Sequence, residues 1–138
     1  RLPADRPRYL MGVGTPADFF DALAEGVDLF DCVTPTRHGR THQVWTSAGR
    51  INLRNSGWKD CGEPLDPVFR APHVADFPIG ALRHLCLSHE MLGASLLSLH
   101  NLHLFHELMR MLREALPVGR LGALRDEGGP RLSAKRTP

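Results

Sequence analysis

Asp31 sits inside the apolar run Leu29-Phe30-Asp31-Cys32-Val33, and Thr34-Pro35-Thr36-Arg37-His38-Gly39-Arg40 follows at once. The run reads as a buried strand, where a carboxylate is costly to bury unless it is paired or used. Pro35 breaks the pattern into a loop. Arg37 and Arg40 in that loop suit an anionic ligand, because the guanidinium fork matches phosphate oxygens. A carboxylate beside an anion-holding loop is the arrangement a nucleophile needs when it attacks a sugar attached to phosphate. The plainer reading makes Asp31 a strand-end carboxylate bonded to backbone amides, and the two arginines a solvated loop. Cys32 reads as a small buried residue, Asp28 as surface, and His38 and His42 as exposed.

Those residues need a frame. Tyr9-Leu10-Met11-Gly12-Val13-Gly14 is short, apolar and glycine-ended, which predicts a buried strand. Thr15 and Pro16 form a helix start, Phe19, Phe20, Leu23 and Ala24 an apolar face, and Gly26 a stop. Val27 to Val33 is the second strand, so the unit is βαβ with parallel strands. His42 to Thr46 and Arg50 to Leu53 alternate around Ser47-Ala48-Gly49 and predict a β-hairpin. Asn55 to Pro78 reads as loop. Ile79 to Leu92 reads as a helix, with Gly93 interrupting it. Ala94 to Leu116 is a second, broad-faced helix ended by Pro117 and Gly119. Gly128-Gly129-Pro130 onward reads as a frayed end. Two parallel strands cannot make a stable sheet of their own, so the expectation is an α/β fold present in part.

Composition narrows the class. The 138 residues suit one domain, 42% hydrophobic and 23% charged, which fits a globular chain rather than a disordered one. A net charge of +2 does not by itself mark a nucleic-acid binder. The positive charge is local, in Arg37 to Arg54 and again toward the end at Arg120, Arg125, Arg131, Lys135 and Arg136. No apolar run is long enough to span a membrane, and the first residues lack the apolar core of a signal peptide. Three scattered cysteines, Cys32, Cys61 and Cys86, argue for a reducing compartment and a cytoplasmic setting. A chain that opens on Arg1 without an initiator Met suggests an excerpt.

Seven segments then fall into one pattern: Pro7 to Gly14, Gly26 to Val33, Pro35-Thr36-Arg37, Asn52 to Asn55, Pro64-Leu65-Asp66-Pro67, Leu82 to Leu85, and His100-Asn101-Leu102. In order and spacing the chain resembles the C-terminal part of the tRNA-guanine transglycosylase family, from about residue 2 to residue 121. The resemblance implies the last two strands of a (β/α)8 TIM-type barrel, an inserted zinc-binding lobe and a long C-terminal helix. It divides the chain into residues 1–57 (last βαβ, catalytic loop and hairpin), 58–116 (lobe and helices) and 117–138 (a flexible basic tail). It implies exchange of guanine for a 7-deazaguanine at the tRNA wobble position. In that reading Asp31 is the nucleophile that holds the ribose covalently, Met11 and Gly12 line the base pocket, and Arg37 and Arg40 grip the RNA. Its implied partners are tRNA, the missing barrel portion or a related subunit, and a second copy in a homo- or heterodimer; no membrane is involved.

The departures matter as much. The family's zinc ligands, by the same resemblance, fall on Phe69, Ala71, Val74 and His100, of which only His100 can bind metal. One imidazole does not make a tetrahedral structural site. The expectation is therefore a degenerate lobe packed as a small hydrophobic core, with no cofactor. A rebuilt site from Cys61, His73, Cys86 and His100 matches no standard spacing. The earlier strands that would enclose a base are outside this sequence, so the chain is expected to be inactive alone. The alternative is a catalytically inactive truncated paralogue that works as a dimerisation or RNA-binding module. A third reading is a related transglycosylase acting on DNA.

Overall fold

In the computed structural model, which describes residues 2–138, the parallel unit forms as read but with shorter strands. Strand β1 (Tyr9–Met11) pairs with β2 (Leu29–Asp31) in register Tyr9 to Leu29, Leu10 to Phe30 and Met11 to Asp31. Helix α1 (Pro16–Ala24) crosses between them. Its start is a capping box: the Asp18 amide donates to the Thr15 hydroxyl at 3.3 Å, and the Thr15 amide donates to the Asp18 carboxylate at 2.7 Å. Gly26 ends it at φ +83°, a conformation that favours glycine.

The strands are not buried on both faces. Phe30 packs inward, 5.0 Å from the Phe19 ring, while Tyr9, Met11, Leu29 and Val33 are more than half exposed. This corrects the reading of a buried strand. One face is covered by α1 and α4, and none of the described residues covers the other.

The Pro35 loop is also corrected. Thr34–Arg40 is a helix, α2, with Pro35 in its first turn, where the missing N–H loses no helical bond. The hairpin follows, β3 (Gln43–Thr46) against β4 (Gly49–Asn52), closed by Ser47 and Ala48. After a 3-10 turn at Ser56–Trp58 and a long loop come α3 (Ile79–Leu87) and α4 (Met91–Ala115). The break falls at Ser88 to Glu90, with His89 at φ +58°, and not at Gly93. Gly93 lies inside α4 because a Cβ there would stand 2.8 Å from the Cys86 amide nitrogen; α3 and α4 touch at that point.

Residues 117–138 are not a flexible tail. Leu121–Ser133 form α5, with Pro130 inside the helix and Leu132 only 5% exposed. Leu121, Leu124 and Leu132 join Phe19, Phe20 and Leu23 of α1 and Leu104, Leu108 and Leu112 of α4. Burying such a side chain contributes about 1.5–3 kcal/mol. The exposed Arg125–Asp21 ion pair beside them, 2.8 Å long, contributes less than about 1 kcal/mol. Packing therefore overrides the weak helix propensity of Gly128-Gly129-Pro130.

A second core joins Val44, Ile51 and Leu53 of the hairpin to Trp58, Leu65, Ala71, Val74, Ile79, Leu82, Leu96 and Leu97. It runs straight across the expected boundary at residue 57, because one face of the hairpin packs on the loop lobe. Among the described residues no helix is long and apolar enough to cross a membrane.

Candidate functional site

Asp31 is the last residue of β2 and is exposed. It sits beside Met11, its partner in the register, and its Oδ1 accepts from the Gly12 amide at 3.1 Å. Gly12 has φ +71°, which turns that amide across toward the carboxylate and favours glycine at the position. The Tyr9 phenol is held above its ordinary value, first by hydrogen bonding to Asp31, then by desolvation and by the Asp31 charge. Asp31, Met11 and Gly12 are thus brought together at the tips of two parallel strands, on the side that bears the exposed apolar face.

The next element carries the arginines. Arg37 and Arg40 are three residues apart on α2, share a face, and are both exposed. Neither side chain forms an ion pair among the described residues. His38 is half-buried: its Nδ1 lies 2.9 Å from the Thr34 carbonyl and its ring 4.6 Å from that of Trp45. An exposed carboxylate, an amide donor beside it and an arginine-bearing helix starting three residues later share one edge of the molecule. They do not enclose a base, for Met11 is 72% exposed.

The model of the family described as Queuine tRNA-ribosyltransferase matches residues 1–129. The chain belongs to that family. A Queuine tRNA-ribosyltransferase of Sphingopyxis alaskensis is 49% identical over 127 residues, 92% of this chain and 34% of the relative. One from Acidithiobacillus ferrooxidans is 49% identical over 126 residues, 91% and 34% of the two chains, and one from Granulibacter bethesdensis is 50% identical over 120 residues, 87% and 32%. The chain spans about a third of the length of the curated relatives it matches.

The positions that the family resemblance assigns to zinc do not fit a metal ion here. Ala71 and Val74 are buried at 2% and 1% exposure in the hairpin-side core, and Phe69 packs against the other core. Their side chains carry no donor atom. Cys61, His73, Cys86 and His100 do not assemble either, since among the described residues no three His, Cys, Asp or Glu side chains group closely enough to hold a metal. Burial instead pushes the Cys86 thiol up to about 11, so it stays protonated.

Beside His100, Asn101 does structural work that the sequence reading did not assign. His100 Nε2 bonds the Trp45 carbonyl at 2.9 Å. Asn101 accepts from the Trp45 amide at 3.1 Å and donates to the carbonyls of Pro35 at 2.9 Å and Gln43 at 3.1 Å. Both side chains are buried. Together they cap the outer edge of β3 and tie α2, with its arginines, to α4. Gly39 completes the contact: a Cβ there would meet Ser98 Oγ at 2.5 Å and the Ser98 amide nitrogen at 2.7 Å. Asp66 is a second unassigned anchor. Its carboxylate accepts from the Ser47 amide and hydroxyl and from the amides of Val68 and Phe69, at 2.6 to 3.1 Å. The signal for Asn101 was present, a polar side chain in the stripe of Leu97, Leu104 and Leu108.

Burial lowers the pKa of His100, against an upward pull from its Trp45 bond, and burial first and the Arg54 charge second lower that of His42. Both histidines have an ordinary value of 6.5. The unfolded chain therefore binds protons more readily than the native one, and stability present above pH 6.5 is lost as pH falls toward the folded values. Urea unfolding is expected to give a lower midpoint at about pH 5.5 than at about pH 7.5, and His100→Gln should flatten that difference. Equal slopes in wild type and variant would contradict the assignment to His100.

Proposed function

We propose that this chain is the portion of a tRNA-guanine transglycosylase that carries the nucleophile and the RNA-gripping helix, and that the rest of a (β/α)8 barrel completes it. The observation that carries the reading is Asp31 at the tip of β2, bonded to the Gly12 amide on a strand face bared to solvent. On this reading β1 and β2 are neighbouring barrel strands. Tyr9, Met11, Leu29 and Asp31 face the barrel interior, and Leu10 and Phe30 face the helices. Catalysis at the C-terminal ends of strands is the rule for such barrels. Exposed Leu99 and Leu102, and a groove of about 220 Å³ lined by Leu29, Phe30, Leu102, Phe105 and Met109, support a further element beside β2.

The chemistry is a double displacement. The Asp31 carboxylate attacks ribose C1′, a C1′–O bond forms, and the C1′–N9 bond to guanine breaks with its electron pair leaving on the purine. The departing purine takes up a proton at N9, the incoming 7-deazaguanine gives up its N9 proton as that nitrogen attacks C1′, and the carboxylate leaves. The carboxylate acts by trapping an oxocarbenium-like centre, splitting one hard step into two. Met11 and Gly12 border the base, and Arg37 and Arg40 hold RNA phosphates. The substrates are tRNA and a deazaguanine base, the setting is cytoplasmic, and the lobe carries no zinc.

The test mixes this chain with a separately expressed segment matching the other two-thirds of the Sphingopyxis alaskensis relative, tRNA and radiolabelled guanine. Label enters tRNA only when both pieces are present. A complex that co-elutes yet exchanges no base overturns the reading. The apolar residues at the metal positions favour a second one, a non-catalytic paralogue that binds RNA or a second copy. Under it the complex exchanges no base but retains tRNA affinity that depends on Arg37 and Arg40.

A further inference from the structure

We propose that Ala134–Pro138 form a peptide staple that holds the hairpin and the following loop lobe together, so that the lobe folds with no metal ion. The inference takes the metal positions from the family resemblance and does not depend on whether the chain catalyses base exchange. It starts from two facts that do not depend on each other. The positions that the family resemblance assigns to zinc carry Phe69, Ala71 and Val74, which have no donor atom, and the chain beyond the family-matched residues 1–129 returns to that same lobe.

The return is specific. After α5 ends at Ser133, the Ala134 carbonyl accepts from the Arg50 amide at 2.7 Å, and the Arg136 amide donates to the Arg50 carbonyl at 2.9 Å. Lys135 thereby forms a single parallel bridge with Arg50 on the outer edge of β4. The Arg136 side chain is 21% exposed and spans two further pieces of the lobe. Its Nη2 lies 2.9 Å from Glu63 Oε2, and its guanidinium carbon is 5.4 Å from the centre of the Trp58 ring. Trp58 in turn belongs to the core that holds Ala71 and Val74.

Two glycines make room for the segment. A Cβ on Gly49 would stand 2.7 Å from the Ala134 carbonyl oxygen, and one on Gly57 would stand 2.5 Å from Pro138 Cγ. The staple therefore reaches β4, the 3-10 turn and the loop at Glu63. A structural metal acts in the same way, tying distant parts of an irregular segment that has few backbone bonds of its own. Asp66 supplies the complementary tie from within, fixing the loop after it to Ser47.

The experiment uses the full chain and two variants, a deletion of residues 134–138 and Arg136→Gln. Metal content is measured by mass spectrometry, thermal unfolding is followed with and without a chelator, and hydrogen exchange is read over residues 49–66. The full chain is expected to carry no stoichiometric zinc and to keep its Tm in chelator. The deletion is expected to lower Tm by about 5 °C and to speed exchange over 49–66 selectively, with Arg136→Gln intermediate. Where the deletion variant does not fold, Arg136→Gln decides. Unchanged exchange over 49–66 in Arg136→Gln overturns the proposal. So does a zinc ion whose removal unfolds the lobe.

Discussion

Asp31→Asn is expected to lower base exchange by about 10³-fold or more in the completed enzyme, roughly 4 kcal/mol of lost transition-state stabilisation. The carboxamide has nearly the shape of the carboxylate. Its oxygen still accepts from the Gly12 amide, which Asp31 now bonds at 3.1 Å. What it lacks is the anionic oxygen that forms the bond to C1′. The residue is exposed, so the variant should unfold at the same temperature as the parent. The pairing of unchanged Tm with lost exchange separates a nucleophile from a strand-end carboxylate, whose loss would touch stability and leave chemistry alone. A denaturing gel supplies the direct readout, a tRNA–protein adduct with Asp31 and none with Asn. Adduct formation by the Asn variant would refute the role.

Why Asp31 could be found in the sequence, while its surroundings were partly misread, follows from where each signal lives. The βαβ unit is written in local signals: the Thr15–Asp18 capping box, Pro16 in the first turn, Gly26 at positive φ. Strand β4 of the hairpin likewise alternates, and Ile51 pairs with Val44 inside the core. Features that depend on distant packing were not legible. Pro35 looked like a break, yet a proline in the first helical turn gives up no bond, and Asn101 of α4 then fastens its carbonyl. Gly128-Gly129-Pro130 looked like an end, yet Leu132 finds the core that Phe20 has opened to it. The apolar residues of β1 and β2 announced burial that the described residues do not supply. That mismatch is itself informative: a bared apolar strand face in a family whose curated relatives are about three times longer fits a surface made for covering. The family's functional pattern was legible because it is a spacing of residue types. The partners of Asn101 and Asp66 were not, because a side chain that bonds mostly backbone leaves its partners' identities free.

Asn101→Ala should therefore rank among the most destabilising single substitutions in the chain, by about 3 kcal/mol. Asn101 is fully buried, and it satisfies the Trp45 amide and the Gln43 carbonyl, both of which point off the outer edge of β3 away from β4. Truncation strands both, at about 1–3 kcal/mol each, and removes the bond to the Pro35 carbonyl. Against a total stability of about 5–15 kcal/mol that is a large share. Asn101→Asp is the sharper probe. It keeps shape and the acceptor for Trp45, but it turns two donors into a carboxylate oxygen facing two carbonyls. Burial of an unpaired charge against like dipoles should make it worse than Ala. Urea midpoints should fall in the order wild type, Ala, Asp. Because the same side chain holds the first turn of α2, tRNA affinity should fall in the same order, even at temperatures where all three are folded. An Ala variant within about 0.5 kcal/mol of wild type would mean that water takes over the edge of β3 and that Asn101 does not hold the arginine helix.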